Sequence, residues 1–174
     1  MKGLAPKPLS LAMQLLQLQR RFPEGAGIIA RSRLVWDQSL QPHALAHRYQ
    51  CRLEHKLQDY PSMCCLEPAL SVLADGRTLP HVNSRMEPVE MCLFMRNSEC
   101  WNDGMVLADI VLPLAFYWLA HFEDWLYSGV WRGGGTHPIT TKPPKRPPIF
   151  PEDPVSLGAS NPSAPSESGA IVTS

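Results

Sequence analysis

The chain has 174 residues, 44% of them hydrophobic, which is enough for one sizeable core, and its 16 basic residues balance 16 acidic ones. A zero net charge supplies no global field for nucleic acid or an anionic membrane, so neither is expected as a partner. Cys51, Cys64, Cys65, Cys92 and Cys100 make an odd set of five, which predicts reduced thiols in a cytoplasmic protein rather than a disulfide framework. The start, MKGLAPKPLSLAMQLLQLQRR, has an early lysine and an apolar run, but glutamines interrupt it and no small-x-small cleavage site follows, so it does not read as a leader.

From Pro8 to Arg21 the sequence predicts a helix: Ser10 can cap it, and Leu11, Leu15, Leu18 and Phe22 recur on one face until Pro23 and Gly25 stop it. GIIARSRLVWDQSL then reads as one strand ending near Pro42. In HRYQCRLEHKL, Tyr49, Cys51 and Leu53 alternate with Arg48, Gln50, Arg52 and Glu54, which predicts a strand with one wet face. DYPS is a turn, and MCCLEPAL a third strand ending at Pro68. The stretch LPHVNSRMEPVEMCLF, residues 79–94, has little helical or strand pattern and reads as a loop.

After ECWND comes a long helical stretch from about Met105 to Tyr127, with Ala115, Leu119, Phe122 and Leu126 as its apolar stripe. Pro113 falls inside it, so a kink or a restart is expected there. The run MVLADIVLPLAFYWLA contains Asp109 and Pro113 and falls short of about 18 uninterrupted apolar residues, so it predicts no membrane span. Ser128 and Gly129 end the helix, and glycines 133–135 mark a flexible exit. Half of the 18 prolines follow Gly135, in segments such as TKPPKRPPIFPEDP with few large apolar residues. Such a segment cannot bury enough surface to offset its ordering entropy. The organisation read from the sequence is therefore a folded domain over 1–132 and a disordered, polar tail over 133–174, with no internal repeat.

Cys92 is the sharpest chemical candidate. It follows a polar, proline-containing loop, and loops on a rigid scaffold are where a catalytic thiol can be approached by a carbonyl. Against this stands the common buried cysteine that only packs. Cys64 and Cys65 are adjacent, so on a strand they point to opposite faces and cannot converge on one zinc. His43, His47 and His55 are scattered without a zinc-like spacing, so neither a metal nor any other cofactor is expected. His121 could pair with Cys92 as a papain-like base, but no protease signature surrounds that thiol.

His81, Asn83, Cys92-Leu93 and then Trp101, in that order, resemble the active-site signature of ubiquitin-conjugating enzymes, in which His-Pro-Asn precedes a catalytic Cys-Leu and a tryptophan follows. The similarity spans roughly residues 9–132, including the Tyr60-Pro61 turn. More narrowly, LPHV…CL, LADIVLP…WL and GGGTHP resemble the ubiquitin-conjugating-enzyme-like proteins of bacterial type II CBASS antiphage operons, encoded beside a cGAS-like cyclic-nucleotide synthase. The resemblance implies an α+β fold with an N-terminal helix, a three- or four-stranded antiparallel meander, a catalytic loop and C-terminal helices. It also implies that Cys92 carries the C-terminal carboxyl of a partner, the cGAS-like synthase, as a thioester. Asn83 would brace the loop and help hold an oxyanion, His81 would hydrogen-bond the loop backbone rather than act as a base, and Trp101 would pack beneath. Val82 stands where proline is usual, and the interval from Asn83 to Cys92 is one residue longer than in the eukaryotic enzymes. The acid that often lies near the thiol in that family has no assigned counterpart among Glu99, Asp103, Glu123 and Asp124. No Gly-rich nucleotide motif is visible, so activation is expected from a separate enzyme, or the thioester forms by an unusual route. Two rival readings are a non-catalytic binding module of the same fold and a cysteine hydrolase.

Overall fold

The protein, as a computed structural model, is described over residues 7–95 and 100–134. The tail expected beyond Gly134 and the acid Glu99 lie outside the described residues. The elements are α1 (Leu11–Arg21), β1 (Ala26–Ala30), β2 (Arg33–Leu40), β3 (Tyr49–His55), β4 (Ser62–Glu67), α2 (Leu70–Leu73), β5 (Val82–Ser84), β6 (Val89–Met91) and α3 (Leu107–Ser128). All the strand pairings are antiparallel, in the sheet order β1-β2-β3-β4-β6-β5. The α+β class and the leading helix are as expected.

The sheet is larger than the three or four strands read from the sequence, for two local reasons. The first is a hairpin where one strand was expected. GIIARSRLVWDQSL turns back at Arg31 and Ser32, both with positive φ (50° and 58°), so that Ala30 faces Arg33. Two consecutive left-handed residues make the tight turn whose twist suits a two-residue hairpin, but Asn-Gly is its usual sequence signal and neither residue is present. The second is the segment 79–94, where β5 and β6 form a small hairpin. Because β6 rather than β5 pairs with β4, the end of β6 lies inside the sheet, one strand from its edge.

One sheet face is dry. Leu34, Trp36 and Leu40 of β2, Tyr49, Cys51 and Leu53 of β3, Met63 and Cys65 of β4, and Val89 and Met91 of β6 are buried at alternate positions. Phe122 of α3 meets Tyr49 edge-on, with ring centroids 6.4 Å apart. The single helix α3 stands where C-terminal helices were expected among the described residues, and it buries a broader face than the predicted stripe, adding Val111, Leu112, Trp118 and Trp125 to Ala115, Leu119 and Phe122. It runs through Pro113 without restarting. Pro113 is exposed, so the carbonyl it leaves unpaired one turn earlier can take water instead.

Helix α1 begins as predicted, with Ser10 Oγ accepting from Met13 N at 3.2 Å, and it docks by Leu18. Its fully buried Gln14 clamps the two helices together: Nε2 donates to Met105 O at 2.7 Å, and Oε1 accepts from Leu107 N at 2.9 Å. Val106, at the N-cap of α3, offers no side-chain cap, so Gln14 satisfies one of the free N–H groups at the start of α3. Losing such a buried partner costs roughly 1–3 kcal/mol. At the other end, Gly129 takes the left-handed conformation (φ 71°) and its N–H closes on Trp125 O at 2.8 Å. The Arg77 guanidinium donates to Leu126 O at 3.1 Å and sits 4.4 Å from the Trp125 ring centroid, placing a cation at the negative end of α3.

Candidate active site

Cys92 is the first residue after β6 and is half-buried. Its N–H donates to His81 O at 3.0 Å, and the same carbonyl accepts from Trp118 Nε1 of α3 at 2.8 Å. His81 adopts φ 45°, a left-handed conformation that histidine tolerates better than most side chains, and its carbonyl serves both donors. One carbonyl thus pins the thiol-bearing segment to the long helix. His81 meets the loop backbone through its main-chain carbonyl, and its ring lies nearly flat on Trp131 (centroids 5.0 Å apart, 24° between planes). The Cys92 thiol has Phe94 O at 3.9 Å, a long contact.

Asn83 lies in β5 with its side chain exposed; Nδ2 donates to Glu90 Oε1 at 2.9 Å and to Met91 O at 3.3 Å. It therefore ties β5 to the residue just before Cys92. Both amide hydrogens are engaged there, so holding an oxyanion would require one of them to be released. Trp101 is buried, with its ring 6.1 Å from Phe94 and edge-on to His55 at 5.4 Å, beneath the chain that leaves Cys92.

Cys92 and Leu93 open onto a cleft of about 190 Å³. Leu114, Tyr117, Trp118 and His121 of α3 form one wall, and His81, Trp131, Gly133 and Gly134 the others. The four helix residues fall at three- and four-residue spacings, so one face of α3 both packs the core and walls the cleft. Gly133 and Gly134, two of the glycines expected as a flexible exit, line the cleft beside Cys92: the chain folds onto Trp131 so closely that a Cβ at Gly133 would lie 2.8 Å from its ring. Tyr117, Trp118 and Trp131 were not singled out from the sequence, because a tryptophan on an apolar helix face reads as core and Trp131 lies beyond the helix.

Of the acids left open by the sequence, the three that are described, Asp103, Glu123 and Asp124, are engaged elsewhere. Glu123 Oε1 accepts from Tyr49 OH at 2.6 Å, His47 N at 2.8 Å and His47 Nδ1 at 2.9 Å. Burial opposes its ionisation, but those hydrogen bonds outweigh burial and hold the carboxyl below its ordinary value. Burial, reinforced by Glu123, pushes the Tyr49 phenol far up. Asp124 pairs with Arg132 Nη1 at 2.7 Å, and Asp103 Oδ2 accepts from Gln58 N at 2.7 Å. Among the described residues lining the cleft there is no carboxylate. Cys64 and Cys65 face opposite sides of β4, Cys65 into the core. No cluster of three or more His, Cys, Asp or Glu suited to a metal occurs among the described residues, and no helix is long and apolar enough to cross a membrane.

Residues 14–138 match the sequence family described as type II CBASS E2 protein. The chain belongs to that family. No curated protein matches it. In a CBASS E2 protein, a name that denotes the conjugating-enzyme class in general, the half-buried thiol at the end of β6 is the natural centre of attention, and the matched span contains Cys92 and every described wall of its cleft.

Proposed function

We propose that this CBASS E2 protein is a transferase that carries the C-terminus of a partner protein as a thioester on Cys92, and that the partner is the cGAS-like cyclic-nucleotide synthase of the same operon, which is regulated by the conjugation. One observation carries the reading: in a chain of the E2 family, Cys92 sits half-buried at the mouth of an apolar cleft, fixed by its own N–H to His81 O. A mostly apolar cleft wall disfavours water beside an acyl thiol, which favours transfer to an amine over hydrolysis. A separate activating enzyme supplies the acyl group. Asn83 and His81 act here by holding the β5–β6 hairpin and the Cys92 segment in place.

The test is co-expression with the neighbouring synthase, followed by gels with and without reductant. A reductant-sensitive adduct is expected for the wild-type chain, a reductant-stable ester for Cys92→Ser, and none for Cys92→Ala. An adduct that survives Cys92→Ala overturns the reading in favour of a binding module. A trimmed partner with no adduct overturns it in favour of a cysteine hydrolase.

A further inference from the structure

A thiol that exchanges acyl groups needs somewhere for protons to go, and the cleft leaves few choices. The nearby acids are tied to His47, Tyr49, Arg132 and Gln58, and Asp109 on α3 pairs with Arg21. Among the described residues, the titratable groups that line the cleft are Cys92, His81, His121 and the Tyr117 phenol. The His81 ring is laid against Trp131. His121 is held differently: it stands edge-on to Tyr117 with centroids 4.3 Å apart, and 5.8 Å from Trp131. Its Nε2 is buried with no hydrogen-bond partner among the described residues. A buried, unsatisfied imidazole nitrogen costs stability, and a residue that bears one in the wall of a cleft holding a thiol invites a functional explanation. Trp118, one turn before His121 on the same face of α3, shares the His81 carbonyl with the Cys92 N–H, so the helix that carries His121 is anchored directly to the thiol segment.

We propose that His121 is the proton-transfer residue of the Cys92 site, taking a proton from the amine that attacks the Cys92 thioester. This deepens the function proposed above and rests on the thioester. With its own proton on Nδ1, Nε2 offers a lone pair. The amine nitrogen forms the C–N bond and passes one proton to Nε2. The C–S bond breaks with its electron pair on Sγ, and the imidazolium returns the proton to the thiolate. The products are an amide, a free Cys92 thiol and a neutral His121, with no oxidant or further reactant needed.

The test uses the full chain, with the exposed Cys100 replaced throughout (Cys100→Ser) so that it takes no acyl group, and no activating enzyme. Cys92 is loaded by thiol exchange with a synthetic glycine-ended peptide α-thioester, the loaded protein is isolated, and its discharge onto free lysine is followed by intact mass across the neutral pH range. His121→Gln is expected to load to the wild-type extent and to discharge about 10²-fold more slowly, with the pH inflection of the discharge rate gone. His81→Gln should keep that inflection. Normal loading with unchanged rate and inflection in His121→Gln overturns the role of His121 alone. A wild-type chain that takes no acyl group, or loads equally in Cys92→Ala, overturns the thioester and this inference with it. His121→Asn, read by the same two quantities, decides the matter if His121→Gln does not fold by circular dichroism.

Discussion

At the scale of single residues, the buried polar groups separate into those that hold the fold and those that face the cleft. His55 belongs to the first kind. It is fully buried in β3, edge-on to Trp101, with Asp103 Oδ1 3.6 Å from Nε2, too far for a hydrogen bond. Burial lowers its pKa below the ordinary 6.5, and the Asp103 charge only partly offsets this. The folded chain therefore resists the proton that the unfolded chain accepts, so stability is full above pH 6.5 and declines as the pH falls from 6.5 toward the folded value. Thermal melting across that window should show a Tm that drops more steeply in the wild-type chain than in His55→Gln. Equal slopes would mean that His55 titrates alike in both states. Glu123 acts in a separate window: its lowered carboxyl contributes stability that is lost only as pH falls through and below 4.5.

The elements show how short-range chemistry and long-range contacts share the work. The β1–β2 hairpin closes on Arg31 and Ser32, neither of which favours the left-handed conformation it adopts. Replacing the pair by Asn-Gly supplies residues suited to that turn and should stabilise the protein by roughly 0.5–1 kcal/mol, measured as a raised denaturant midpoint at unchanged slope. A lower midpoint would show that the side chains of Arg31 and Ser32 contribute more than their backbone strain costs. At α3 the termini are satisfied from outside, by Gln14 from α1 and by Arg77 after α2. The helix is thereby fixed along its length, which matters because one of its faces supplies four residues to the cleft.

Across the whole molecule, the five thiols occupy distinct environments that bear directly on any adduct experiment. Cys51 and Cys65 face each other across β3 and β4 in the core, and the neighbouring Cys65 thiol, with burial, pushes Cys51 well up. Burial, with Glu90 and Glu54 nearby, pushes Cys64 up to about 11. Cys51 and Cys64 are therefore poor nucleophiles at neutral pH, and Cys65 is shut away from reagents in the core. Cys100 is exposed and Cys92 half-buried at its cleft. Brief alkylation of the native protein with iodoacetamide, mapped by peptide mass, should label Cys100 and Cys92 well before the other three, which should react fully only on unfolding. Early labelling of Cys51 or Cys65 would mean that the sheet core opens locally.

Alternation in β3, the strand at β4, the cap at Ser10 and the three-to-four residue stripes of α1 and α3 were all legible in the sequence, because each depends on residues close in the chain. So was the order His81, Asn83, Cys92, Trp101 that carried the family resemblance. What lay beyond it were features that no local pattern encodes. The turn at Arg31 and Ser32 has no glycine or asparagine to announce it, and β5 and β6, at three residues each, are too short for alternation to show. The cleft is the clearest case. His121 and Trp131 lie 29 and 39 positions beyond Cys92 and share its cleft, where the His81 carbonyl fastens both the Cys92 strand end and Trp118. The sequence by itself determined α1, β3, β4, the long helix α3 and the family, and it singled out Cys92 as the candidate. The tertiary structure alone decided what surrounds that thiol, since packing α3 across the sheet brings its neighbours from distant parts of the chain.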